Sequence, residues 1–230
     1  MKLVLLDIDG TILWTDGAGR RAMESALTGV FGSPGAPSYR YDGKTDGQIV
    51  RELMTQAGHS TEDVERAIPD VMQRYLGMLE SELTTGTRRV HVFPGVLELI
   101  DAVDAHEGML LGLLTGNLRE GASLKLRAAG IDPDRFVVGA FGSDHHLRPE
   151  LPGIARVRAC ELLGRDVAGD RVVVIGDTPA DIACGRAIGA RAIGVATGHY
   201  SVEDLSVHGA AAVFADLTDT DAVMRAILDA

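Results

Sequence analysis

Four aspartates in this chain sit where short apolar runs end. Leu3–Leu6 leads into Asp7-Ile8-Asp9-Gly10-Thr11, and Val172–Ile175 leads into Gly176-Asp177-Thr178-Pro179-Ala180-Asp181. A third run, Leu110–Leu114, leads into Thr115-Gly116-Asn117. If these ends meet, four carboxylates and one small hydroxyl share a single place. Clustered carboxylates repel and raise one another's pKa. A hard dication relieves the repulsion, and Mg²⁺ takes oxygen ligands while retaining several waters. The same ion would neutralise charge on a phosphoryl group in transfer. One carboxylate can attack phosphorus and form an acyl phosphate. A second, two residues on and on the same side, can protonate the leaving alcohol and then take a proton from water. Gly10 permits the sharp exit from the strand that this needs. A threonine hydroxyl, with free N–H groups at a helix start, would hold the phosphate oxygens. Thr115 supplies that hydroxyl, and Gly10, Thr11, Gly116 and Asn117 are candidates to line the phosphate.

The elements that must position these residues follow from hydrophobic periodicity. Leu3–Leu6, Leu110–Leu114, Phe136–Val138, Val172–Ile175 and Ala192–Val195 read as strands buried on both faces, with Ala211–Phe214 a weaker sixth. Helical patterns lie between them near 95–106, 119–129, 150–164 and 179–188, and 219–229 closes the chain. Strand and helix in alternation predict an α/β fold, a Rossmann-like doubly wound parallel sheet with helices on both sides. In such a sheet ligands bind outside the carboxyl ends of the strands, where all three aspartate- and threonine-bearing segments fall.

About a hundred residues separate the first strand from the second, far more than one crossover needs. Ala22, Met23, Ala26, Leu27, Val30 and Phe31 recur at helical spacing. Thr45 and Gln48 form a capping-box pattern ahead of Ile49, Leu53 and Met54. Residues 61–83 read as helix, with Pro69 starting a second segment rather than lying inside one. The expected organisation is therefore a catalytic core over 1–14 and 89–230 with an α-helical cap over 15–88. Hinges are expected near 14–17 and 86–92.

The 230-residue chain carries 22 basic and 33 acidic residues, a net charge of −11. That field disfavours nucleic acid and anionic membrane as partners, and it obliges any phosphate site to supply its own positive charge. The apolar runs stop well short of the ~18 residues of a membrane span. The N-terminus turns acidic too soon for a signal peptide. Cys160 and Cys184 form neither a disulfide framework nor a zinc pattern. A cytoplasmic location follows as the expectation, and oligomeric state is not readable.

The three strand-end segments, Asp7–Thr11, Thr115–Asn117 and Gly176–Asp181 in chain order, resemble the first, second and fourth motifs of the haloacid-dehalogenase-like hydrolases. The helical insert is similar to the cap of the phosphoglycolate-phosphatase-like branch. The resemblance covers nearly the whole chain. It implies a nucleophile at Asp7, an acid/base at Asp9 whose backbone carbonyl also binds Mg²⁺, and phosphate binding by Thr115. It further implies metal ligation by Asp177 and support of the metal site by Asp181. The third motif departs: where the family places a lysine before proline, this chain reads Arg148-Pro149. Arg148 can neutralise and hydrogen-bond phosphate, and Lys125 is the competing candidate. Gly43-Lys44-Thr45-Asp46 is either a plain helix start or a loop over the site, in which case Lys44 adds positive charge at the substrate. The implied reaction is Mg²⁺-dependent hydrolysis of a small phosphorylated metabolite, phosphoglycolate-like, a sugar phosphate or a nucleotide. The alternatives are a phosphomutase of the same superfamily and a non-catalytic phosphate-ester-binding module.

Overall fold

Leu3 to Leu6 leave nothing exposed, and successive side chains enter opposite cores. Leu3 and Leu5 pack with one cluster, Val4 and Leu6 with another. A strand apolar on both faces is stable only in the middle of a sheet covered on both sides. The computed structural model, which describes residues 1–85 and 90–230, places it there. Strand β1 (Lys2–Leu6) pairs in parallel with β4 (Met109–Leu114) and β6 (Val172–Gly176). Strand β5 (Val138–Ala140) flanks β4, and β7 (Arg191–Val195) and β8 (Ala212–Phe214) continue beyond β6. The sheet order is β5-β4-β1-β6-β7-β8, and every pairing in it is parallel.

One face is covered by α4 (Val96–Asp104), α5 (Arg119–Ala128) and α9 (Thr220–Asp229), through Leu99, Ile100, Leu126, Val223 and Ile227. The other is covered by α6 (Leu151–Leu163) and α7 (Pro179–Cys184), through Leu151, Ala155, Ala159 and Cys184. Helix α8 (Val202–Ser206) packs Leu205 beside β7. Each buried leucine or isoleucine contributes about 1.5–3 kcal/mol relative to exposure. The chain leaves β1 toward β4 on one side and β6 on the other, which opens a crevice at their carboxyl ends.

Between β1 and β4 lie α1 (Ala18–Phe31), α2 (Asp46–Gln56) and α3 (Thr61–Thr85). They share a separate cluster that includes Met23, Leu27, Leu53, Met54, Tyr75 and Leu79, joined by Leu118 from the sheet side. Thr45 caps α2, accepting from Gln48 N at 3.1 Å.

The structure corrects several expectations. Pro69 lies inside a continuous α3; Val64 before it and Val71, Tyr75 and Leu79 after it bury in one cluster, and this shared packing holds both halves in line. The third strand is Val138–Ala140, two residues later than expected. A turn over Pro133–Arg135, with Asp132 accepting from Asp134 N, delays it, and Phe136 packs into the core instead. The helix near 179–188 ends at Cys184, and Arg186–Ile188 forms a tighter turn.

The segments entering and leaving the helical unit are not open linkers throughout. β2 (Leu13–Trp14) and β3 (His91–Val92) pair antiparallel, Leu13 opposite Val92 and Trp14 opposite His91. Two-residue strands carry too little pattern to be read from sequence. Residues 86–89 of the expected second hinge, with the expected boundary at 88/89, lie outside the described residues.

Gly95 (φ +80°) begins α4, and a Cβ there would lie 2.0 Å from the Leu217 carbonyl. Gly95→Ala should therefore lower stability by about 1–3 kcal/mol. Urea unfolding would check this, and an unchanged midpoint would contradict the close approach.

Candidate active site

The carboxyl ends of β1, β4 and β6 do meet. Asp7 follows β1 directly, with its N–H on Ile175 O at 2.9 Å, and is buried. Asp177 follows β6, and Asp181 lies in the first turn of α7. One oxygen from each of Asp7, Asp177 and Asp181 falls within 4.8 Å of the others, and all three residues are buried.

Arg148 joins this cluster from the turn Arg148–Glu150 before α6. Its Nη2 lies 3.1 Å from Asp7 Oδ1 and donates to Asp181 Oδ1. Its Nε is buried with no protein acceptor among the described residues. Burial works against the Arg148 charge, but Asp181 and Asp7 outweigh it and hold the guanidinium protonated. Three carboxylates beside one guanidinium leave an excess of negative charge out of water. Burial first, then Asp181, with Arg148 opposing, pushes the Asp7 carboxyl up from 3.8 to about 6. Burial, Asp181 and Asp7 hold the Asp177 carboxyl well above the usual range. Oxygen donors with uncompensated charge in a dry pocket suit a hard dication.

Local sequence explains how each side chain is held. Thr178 and Asp181 form a capping box at the start of α7: Thr178 Oγ1 accepts from Asp181 N at 3.2 Å, and Asp181 Oδ2 accepts from Thr178 N at 3.0 Å. Both oxygens of Asp181 are thus engaged, one in the cap and one by Arg148. Thr11 Oγ1 donates to Asp177 Oδ1 at 3.2 Å. Gly10 (φ +88°) and Gly198 press on the same carboxylate; a Cβ on either would come within 2.3 or 1.8 Å of Asp177 Oδ2.

The Asp9 carboxylate points elsewhere. Its Oδ2 accepts from Asn117 Nδ2 at 2.7 Å and from Lys125 Nζ at 2.6 Å. Asn117 also donates to Thr115 Oγ1 at 2.7 Å, and its own Oδ1 accepts from Lys125 at 2.6 Å. Lys125 reaches this network from α5 and is almost wholly buried.

Asp7, Asp9, Gly10, Thr115, Gly116, Asn117, Lys125, Arg148 and Asp177 line one cavity of about 800 Å³, whose opposite wall comes from the helical unit. Lys44 also lines it, but its charge is already paired with Glu52 and it lies 4.7 Å from the Tyr39 ring centroid. Two expected residues do not line it: Thr11 lies behind Asp177, and Asp181 behind Arg148. Within the Gly43–Asp46 segment, Thr45 caps α2, and Gly43, Lys44 and Asp46 line the cavity. Sequence reasoning passed over Arg20, Arg40 and Tyr41, which also form the wall, whereas Asp46 and Gly198 stand in segments it had set beside the site. Capping-box spacing was what drew attention to the Gly43–Asp46 turn. The other wall residues carry no local signal.

A model of the haloacid dehalogenase-like hydrolases matches residues 4–186. The chain belongs to that family. It is 30% identical over 224 residues to a phosphoglycolate phosphatase of Rhodospirillum rubrum, covering 94% of this chain and 87% of the relative. An N-acetylmuramic acid 6-phosphate phosphatase of Pseudomonas aeruginosa is 27% identical over 94% of this chain and 91% of its own. Among solved structures, a hydrolase from Pseudomonas syringae superposes with a TM-score of 0.74 at 22% identity, covering 98% of both chains, and shares the fold. Among the described residues no helix is long and apolar enough to cross a membrane.

The raised Asp7 carboxyl means that the folded chain keeps a proton the unfolded chain would release. Its stabilising contribution is full below about pH 4 and is lost as pH rises through about 6. A dication reverses this by favouring the ionised ligands. Mg²⁺ should therefore raise the thermal midpoint more at about pH 7.5 than at about pH 5. Equal shifts at both values would argue against a carboxylate metal site.

Proposed function

We propose that this hydrolase is a Mg²⁺-dependent phosphatase that cleaves a small phosphomonoester through an aspartyl-phosphate on Asp7. The observation that carries the reading is the position of Asp7, buried in one cluster with Asp177, Asp181 and Arg148, with Asp9 two residues on at the same cavity. Asp7, Asp177 and the backbone carbonyl of Asp9 would hold Mg²⁺, with Asp181 in support; when bound, the ion supplies positive charge to the phosphoryl oxygens.

The chain's own groups account for the remaining work. Arg148 orients the Asp7 carboxylate and brings positive charge beside the phosphoryl group, in the place of the family's third-motif lysine. Asp7 attacks phosphorus, the ester oxygen leaves, and Asp9 gives it a proton. Lys125 and Asn117 hold Oδ2 of Asp9, which leaves Oδ1 for the leaving oxygen and then for the hydrolytic water. Gly10 N–H donates to Leu13 O and Asn117 N–H to Thr115 Oγ1, so Thr115 Oγ1 and the other N–H groups of these two segments hold phosphoryl oxygens, with Gly10, Gly116 and Asn117 lining the place. Residues 15–88 act as the cap and 1–14 with 89–230 as the core, the cap shutting water out during attack. A cavity of about 800 Å³ has room for the leaving group of phosphoglycolate, a sugar phosphate or a nucleotide. A cytoplasmic pool of such metabolites is the expected source.

Phosphate release from a panel of phosphorylated metabolites, with and without Mg²⁺, tests this. Asp7→Asn should cut turnover by at least about 10³-fold; an active Asp7→Asn protein would sink the nucleophile assignment. Asp9→Asn should form phosphoenzyme yet hydrolyse it slowly. Isomerised ester without released phosphate would indicate a mutase. Ester binding with neither reaction would indicate a binding module. Arg148→Ala should lower kcat about 10²-fold or more, and Lys125→Ala less. The reverse order would move the third-motif role to Lys125.

A further inference from the structure

The cap grips the loop after β4 at a residue outside the four motifs. Asp46, the first residue of α2, is buried. Its N–H donates to Gly116 O at 2.8 Å, and its carboxylate accepts from Leu118 N at 2.8 Å. These two bonds bracket Asn117, whose side chain bonds both Asp9 and Thr115. The approach is close, since a Cβ on Gly116 would lie 2.0 Å from Lys44 O. Beside it, Thr45 Oγ1 donates to His146 O at 2.6 Å, which ties the same helix end to the segment before Arg148.

Helix α2 does not itself need the Asp46 carboxylate. Thr45 already supplies the cap, and a polar residue with no charge would be easier to bury. Burial pushes the Asp46 carboxyl up to about 6 against the pull of Lys125, so the group is held there at the fold's expense. Its acceptor capacity is directed to a chain segment 72 residues away.

We propose that Asp46 is a positioning residue that couples closure of the cap to the placement of Asn117, and through Asn117 to Asp9 and Thr115. The proposal rests on the reading of Asp9 and Thr115 as groups that act on the ester. With the cap shut, both neighbours of Asn117 are fixed and its amide is aimed. With the cap lifted, Gly116 O and Leu118 N turn to water and the amide loses that constraint. The reacting groups then align only once the substrate is enclosed, which guards against attack with the site open.

Steady-state kinetics of the full chain tests the coupling. Asp46→Ala should lower kcat by about 10–100-fold while KM changes less than about threefold. Asp46→Asn keeps an acceptor for Leu118 N and should recover most of the loss. Asp46→Ala with wild-type kcat, or Asp46→Asn as impaired as Asp46→Ala, overturns the proposal. Should Asp46→Ala fail to fold, amide hydrogen exchange of the wild-type chain still decides. The Asp46 and Leu118 amides should share one opening, with protection equal within about threefold, and independent exchange overturns the coupling. This measurement needs no substrate, so it stands even if the wild-type chain releases phosphate from no ester and the phosphatase reading fails.

Discussion

Negative charge gathered out of water is the constraint around which this molecule is arranged. Asp7, Asp177 and Asp181 lie within 4.8 Å of one another, and one guanidinium, Arg148, answers them. Buried like charges are tolerated only where partners and hydrogen bonds are fixed in advance. The surrounding structure supplies that fixity. A parallel sheet brings three strand ends side by side, a capping box holds Asp181, and Thr11 holds Asp177. The charge imbalance is what suits this pocket to a hard cation.

The polar network divides into two groups. Around Asp7 it is acidic and closed off behind the cavity by Thr11 and Asp181. Around Asp9 it is a mixed chain of Asn117, Thr115 and Lys125 that reaches to the base of the helical unit. Two carboxylates two residues apart therefore sit in different company, and different environments are how neighbouring acids take different roles.

Much of this was legible in the sequence because the signals are dense. Strands apolar on both faces announce a covered parallel sheet, and Leu3–Leu6 and Val172–Ile175 show that pattern without interruption. Asp7, Thr115 and Asp177 could be placed at the sheet's edge because each follows such a strand directly, and Asp9 because it lies two residues beyond Asp7. Arg148 could be named only as a candidate, since its bond to Asp7 spans 141 residues of chain and depends on where α6 begins. Asp46 and Gly198 could be placed near the site, but their partners, Leu118 and Asp177, were not readable, because those contacts join distant stretches of chain. Pro69 misled because local propensity favoured a break while shared burial on both sides of it favoured continuity. The register of β5 failed for a related reason: a turn at Pro133 decided where extension could start.

The pairing of β2 with β3 has a mechanical consequence. The chain climbs into the helical unit and descends from it along two strands locked together by backbone bonds. Two separate tethers would let that unit wobble and twist. Stitched together, the two strands give that unit a single base beside the strand ends, from which its helices stand over the cavity as the opposite wall.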